Sequence, residues 1–157
     1  RPATWADVKT IARYFAEAGV EYALVGGYAV AAHGFNRFSE DIDLLVNPAV
    51  ENSRRWIAAL ARLPDGAANE LSGNADVFAG GQQHAIRIND EFTIDGQAVQ
   101  VLDLEDLLKT KQGARPRDQL DAANIRAAME SAQRRVSRPS SRPMPDSTSR
   151  IAAVHAR

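Results

Sequence analysis

The sequence predicts an α/β (α+β) domain in which a mixed β-sheet is flanked by helices. Three observations predict it. Helical and strand periodicities alternate through the first third of the chain. An Asp95-Gly96 pair between two apolar runs demands an antiparallel hairpin, so the sheet is not purely parallel. The 157 residues, 45% of them apolar, suffice for one domain with a real core.

Thr4, with Asp7 three residues on, opens a first helix as an imperfect capping box. Val8, Ile11, Ala12 and Phe15 recur on one face, and Gly19 is a plausible C-cap. Glu21 to Val25 is an apolar strand broken by Gly26-Gly27. A short helix from about Tyr28 to His33 follows, ended by Gly34. A second strand covers Asp41 to Val46. The next helix carries an apolar stripe of Trp56, Ile57, Leu60 and Leu63 and is stopped by Pro64-Asp65-Gly66. Between 67 and 83 the pattern is poor, with a brief strand at Ala75 to Phe78. His84 to Ile88 and Glu91 to Ile94 alternate as strands, and Ala98 to Leu102 pairs back across Asp95-Gly96. Asp103 caps a helix to about Gln112, and another spans about Arg117 to Met129. The predicted domain is 1–130. Residues 131–157 are rich in Arg, Ser and Pro and are expected to form a disordered tail.

A formal net charge of -1 argues against a dedicated DNA-binding protein, whose domain is normally strongly basic. The absence of cysteine excludes disulfides, thiolate zinc sites and a cysteine nucleophile, and makes a reducing cytoplasm the default. Nothing in the sequence reads as a membrane span.

Chemistry concentrates in Tyr22 to Val46. A glycine turn between strand and helix lets backbone N–H groups approach a phosphate, although neither the dinucleotide nor the Walker fingerprint is present. Asp41 and Asp43 stand two apart in an apolar strand, so their side chains share a face. Two like charges held that way are costly without a cation between them. Mg²⁺ favours one or two carboxylates completed by phosphate oxygens. The three histidines, His33, His84 and His155, have no ligand spacing.

Leu24-Val25-Gly26-Gly27 followed, after a spacer, by Asp41-Ile42-Asp43-Leu44 resembles the signature of the DNA polymerase β-type nucleotidyltransferase superfamily. Arg37 to Asp43 is similar to the small prokaryotic AbiEii-type toxins and minimal nucleotidyltransferases. Leu104 to Leu108, with Lys111, Arg115, Arg117, Asp118 and Asp121, resembles that group's closing helices. The resemblance implies an enzyme that moves NMP from an NTP, ATP among them, to a protein or RNA hydroxyl with Mg²⁺ (or Mn²⁺). It also suggests a toxin–antitoxin or phage-defence setting with a cognate toxin or antitoxin partner. Gly26, Gly27 and Ser39 would hold the nucleotide, with Lys111, Arg115 and Arg117 reaching phosphate. Asp41 and Asp43 would ligate metal. Asp118 and Asp121 read as a cap and brace of the last helix.

The third carboxylate departs from the family pattern. Asp95 is the best candidate for catalytic base and third metal ligand, with Asp90 behind it, yet Asp95-Gly96 also reads as a hairpin turn. The rival from another class is a nucleotide-binding or antitoxin-like partner that keeps the fold without the catalysis. A plain structural domain is the third reading.

Overall fold

The computed structural model describes residues 1–66, 68–75 and 90–137. In chain order the elements are α1 (Trp5–Ala18), β1 (Tyr22–Val25), α2 (Gly26–Ala32), β2 (Asp43–Val46), α3 (Val50–Leu60) and a 3-10 turn (Asn69–Leu71). After these come β3 (Asp90–Ile94), β4 (Gln97–Val101), α4 (Leu104–Thr110) and α5 (Pro116–Ser137). The strands predicted at 75–78 and 84–88 fall wholly or mainly outside the described residues.

The sheet is mixed, in the order β2-β1-β4-β3. β1 pairs antiparallel with β2, Val25 opposite Asp43, and parallel with β4, Leu24 opposite Val101. β3 and β4 form the expected hairpin, with Asp95 at φ 48 and Gly96 at φ 81. Both turn residues are left-handed, which is what a two-residue turn matched to strand twist requires. All four β1 residues are buried, as their unbroken apolar run predicts for an inner strand. Phe15, Leu24, Val30, Val99, Val101, Leu107 and Ile125 form the fully buried centre of the core. Asn52 is buried and fully used. It accepts from Glu21 N–H at 2.8 Å and donates to the Glu21 and Asn47 carbonyls at 3.0 and 2.9 Å. That tie fixes α3 to the entry of β1.

Two sequence expectations change. β2 begins at Asp43, so Asp41 lies in the bend before the strand and not within it. α5 runs on to Ser137, past the domain boundary placed at 130. Its residues 131–135 are all exposed and bury no apolar stripe. Good helix formers and a Glu130–Arg134 pair one turn apart at 3.6 Å support the extension instead. No helix among the described residues is long and apolar enough to cross a membrane.

The first turn of α1 carries a testable electrostatic contribution. The Asp7 carboxylate accepts from the Thr4 N–H and hydroxyl, both at 2.8 Å, and from both terminal nitrogens of Arg1 at 2.7 Å. The Arg1 hydrogen bonds hold the Asp7 carboxyl far below the usual carboxylate range, aided by Thr4 and opposed by partial burial. A lowered folded pKa gives stability that is complete above the unfolded value of about 3.9 and is lost as pH falls toward the folded one. Asp7→Ala is therefore expected to cost about 1 kcal/mol at pH 7, the usual value of a lost helix cap. Urea titrations should show that gap to wild type narrowing between pH 4 and pH 3; a gap that widens would refute the assignment.

Candidate active site

The chain leaves β1 through a left-handed residue, Gly26 at φ 68, and turns at once into α2. Because Asp43 pairs with Val25, its carboxylate lies directly across this turn. A Cβ on Gly26 would stand 2.1 Å from Asp43 Oδ2 and 3.0 Å from Asp43 Cβ. A Cβ on Gly27 would stand 2.6 Å from Ser39 Cβ. The glycine pair is thus required twice, by backbone conformation at Gly26 and by close approach at both positions. It brings Gly26, Gly27, Ser39 and Asp43 into one contact set. Asp41 joins it through the bend, its carbonyl accepting from Ser39 Oγ at 3.0 Å.

Asp41 and Asp43 are both exposed, and among the described residues neither has a cationic partner within salt-bridge distance. Two exposed carboxylates two residues apart, with no cationic partner among the described residues, suit a hard divalent ion that takes its remaining ligands from phosphate and water. Among the described residues no three acidic or histidine side chains come together as a metal cage.

The basic residues are arranged differently from expectation. The Lys111 side chain is 9% exposed, with Nζ 3.2 Å from Asp121 and 3.8 Å from Asp118. Asp121, 1% exposed, also accepts from Arg37 Nε at 3.0 Å. Lys111 is therefore one of two cations in a neutralised cluster rather than a free cation. Arg115 and Arg117 are exposed at the start of α5, and no contact in the structure ties them to the acidic pair. Asp118 and Asp121 do brace the closing helices, through these ion pairs.

Asp95 is not brought to the site. It occupies the hairpin tip, bound to Lys9 Nζ at 2.7 Å. Val101 sits level with Leu24, so the tip lies about 13 Å down β4 and roughly 10 Å across the sheet from Asp43. Carboxylates sharing a two-metal centre lie within about 8 Å of one another, given metal–oxygen bonds near 2.1 Å and metals up to about 4 Å apart. The local grammar of an Asp-Gly turn has prevailed over the catalytic reading. Asp90 pairs opposite Val101 at the correct end of the sheet, but β3 stands three strand spacings, about 14 Å, from β2.

Sequence reasoning missed Arg37, Ala3 and Tyr28. The Ala3 N–H donates to the Glu40 carbonyl at 2.8 Å, and the Ala3 carbonyl accepts from the Tyr28 hydroxyl. The N-terminal arm thus links the bend beside Asp41 to the helix that follows the glycine turn. No local pattern announces such contacts, which span 25 residues and more.

The close approach can be measured. Gly26→Ala adds left-handed strain of about 1–2 kcal/mol and also pushes on Asp43, whereas Gly34→Ala, at φ 96 with open space around it, adds strain alone. We expect a lower urea midpoint for both, and weaker Mn²⁺ binding by electron paramagnetic resonance for Gly26→Ala only. Equal Mn²⁺ binding by the two variants would show that the contact is without consequence for the site.

The family model described as nucleotidyl transferase AbiEii toxin, type IV TA system, matches residues 11–153 of the chain. No curated protein and no solved structure matches it.

Proposed function

The chain belongs to the AbiEii family of nucleotidyl transferase toxins of type IV toxin–antitoxin systems, and on that premise we propose that it is a Mg²⁺-dependent nucleotidyltransferase acting on a nucleoside triphosphate. The observation that carries this reading is the Asp43 carboxylate lying over the Gly26 turn, with Asp41 two residues before it and no cationic partner for either among the described residues. Backbone N–H groups at Gly26 and Gly27, with the Ser39 hydroxyl, would seat the triphosphate. Asp41 and Asp43 would hold Mg²⁺ or Mn²⁺, which when bound draws charge from the phosphates and aligns them.

In the transfer, an acceptor hydroxyl oxygen bonds to the α-phosphorus while the bond to the β-phosphate bridging oxygen breaks. Pyrophosphate leaves and NMP remains on the acceptor. The hydroxyl proton passes to a carboxylate, and that group is where the reading departs from the expectation for Asp95. The described residues supply two carboxylates. Arg115 and Arg117, exposed at the start of α5, suit the phosphates or an acidic acceptor such as RNA. A protein or RNA hydroxyl as acceptor, and an antitoxin as partner, belong to this proposal.

One observation favours a second reading, a nucleotide-binding partner without transfer. Two carboxylates can bind a Mg²⁺–triphosphate, yet they leave no group assigned to take the proton.

Label transfer separates the two. Wild type incubated with each α-labelled NTP, Mg²⁺ and cell RNA or protein should label an acceptor. Asp41→Asn and Asp43→Asn should lose at least about 100-fold, the scale of losing a general acid–base or metal contribution. Asp95→Asn should retain activity. Mg²⁺-dependent NTP binding without labelling selects the second reading, and absence of both binding and labelling rejects both.

A further inference from the structure

Ser39 and Asp41 sit in the segment between α2 and β2, which has no regular structure of its own. A segment of that kind keeps a fixed geometry only when its ends and side chains are anchored elsewhere. The Ala3 link to Glu40 anchors one side. The other side is anchored by Arg37, whose Nε donates to Asp121 Oδ1 at 3.0 Å and to Oδ2 at 3.3 Å.

Asp121 is a junction. Its buried carboxylate receives Arg37 from the site segment and Lys111 from the end of α4, while Asp118 balances the second cation. Two cations face two carboxylates, so the cluster is neutral. A largely buried cluster of this kind contributes little net stability, because desolvation offsets the attraction. Its effect is geometric, since a carboxylate with about four acceptor directions and a planar guanidinium restrict one another's orientation.

We propose that Arg37 is a positioning residue for the metal-binding pair. It fastens the segment bearing Ser39 and Asp41 to α5 through Asp121, and by the same carboxylate to α4 through Lys111. The acidic half of the site and the basic closing helices thereby take their relative position from one shared group. The proposal rests on the functional reading given above and deepens it, since Arg37 itself contacts neither Asp41 nor Asp43 in the structure. Removing Arg37 has two effects on the same segment. The anchor is lost, and Asp118 with Asp121 is left one negative charge in excess next to a site that must receive a polyanion.

Arg37→Gln, Arg37→Lys and Asp121→Asn, each in the full chain, test this. Hydrogen exchange across 35–42 should accelerate on the order of tenfold in Arg37→Gln while the α1 amides are unchanged. Mn²⁺ affinity in the presence of a non-hydrolysable NTP should fall by roughly tenfold, the usual scale for an outer partner of a metal ligand. Any transfer activity should fall in kcat more than in KM. Arg37→Lys should recover part of the affinity by restoring charge without the planar fork, and Arg37→Gln with Asp121→Asn should lose less than the sum of the two. Unchanged exchange in Arg37→Gln overturns the proposal, and so does faster exchange with unaltered Mn²⁺ affinity. A wild type that binds no Mn²⁺ with nucleotide sinks the functional reading and this proposal with it. A wild type that binds, beside an Arg37→Gln that binds equally, sinks this proposal alone.

Discussion

The site depends on one steric constraint, the absence of a Cβ at Gly26. Antiparallel pairing of β1 with β2 delivers Asp43 opposite Val25, so the next residue of β1 must turn beneath a carboxylate. Only a residue that accepts φ 68 and projects nothing toward Asp43 can do so. The other elements hold that crossing in place. β1 is buried along its whole length, α2 starts at the turn itself, and Gly27 repeats the requirement against Ser39. The turn and the acid are a single packing unit, and neither can be altered without moving the other.

Around this unit the charges are distributed unevenly. Asp41 and Asp43 are exposed and have no cationic partner among the described residues, while the buried carboxylate among those residues, Asp121, is paired with Arg37 and Lys111. The difference follows from burial. A carboxylate at 1% exposure is strongly destabilising unless paired, whereas an exposed one can wait for a ligand from solution. Among the described residues the buried cations thus serve structure, and the proposed metal of the site would come from solution. Lys111, which in isolation reads as a phosphate contact, is drawn into the structural cluster by the same logic.

What was legible in the sequence was local. The Thr4/Asp7 box, the Gly19 cap, the Gly26-Gly27 break and the Asp95-Gly96 hairpin each depend on neighbours within four residues, and each was readable. The bend at Asp41 was not, because it is held by a Ser39 hydroxyl bond and by Ala3, and an alternating apolar run conceals it. The far end of α5 was missed for the opposite reason: solvated Arg and Gln positions support a helix without leaving an apolar stripe to read. The Arg37–Asp121 pair spans 84 residues, and nothing short of the fold brings it into view. Asp95 shows the limit most clearly, since two local readings competed and only the sheet register decided between them.

The position of Asp95 also bears on what kind of protein this is. Binding a metal-bound triphosphate needs charge and a turn that admits phosphate, the two features proposed here for the Asp41, Asp43 and Gly26 unit. Transfer needs, in addition, a group that takes a proton while the new bond forms. With Asp95 engaged by Lys9 at the opposite end of the sheet, the described strands do not contain that group beside the acidic pair. In the proposed reading, binding and transfer would rest on different parts of the chain, the first on β1 and β2 and the second on a carboxylate other than Asp95. On that reading, loss of one carboxylate would separate transfer from binding while leaving the β1–β2 unit and its fold untouched.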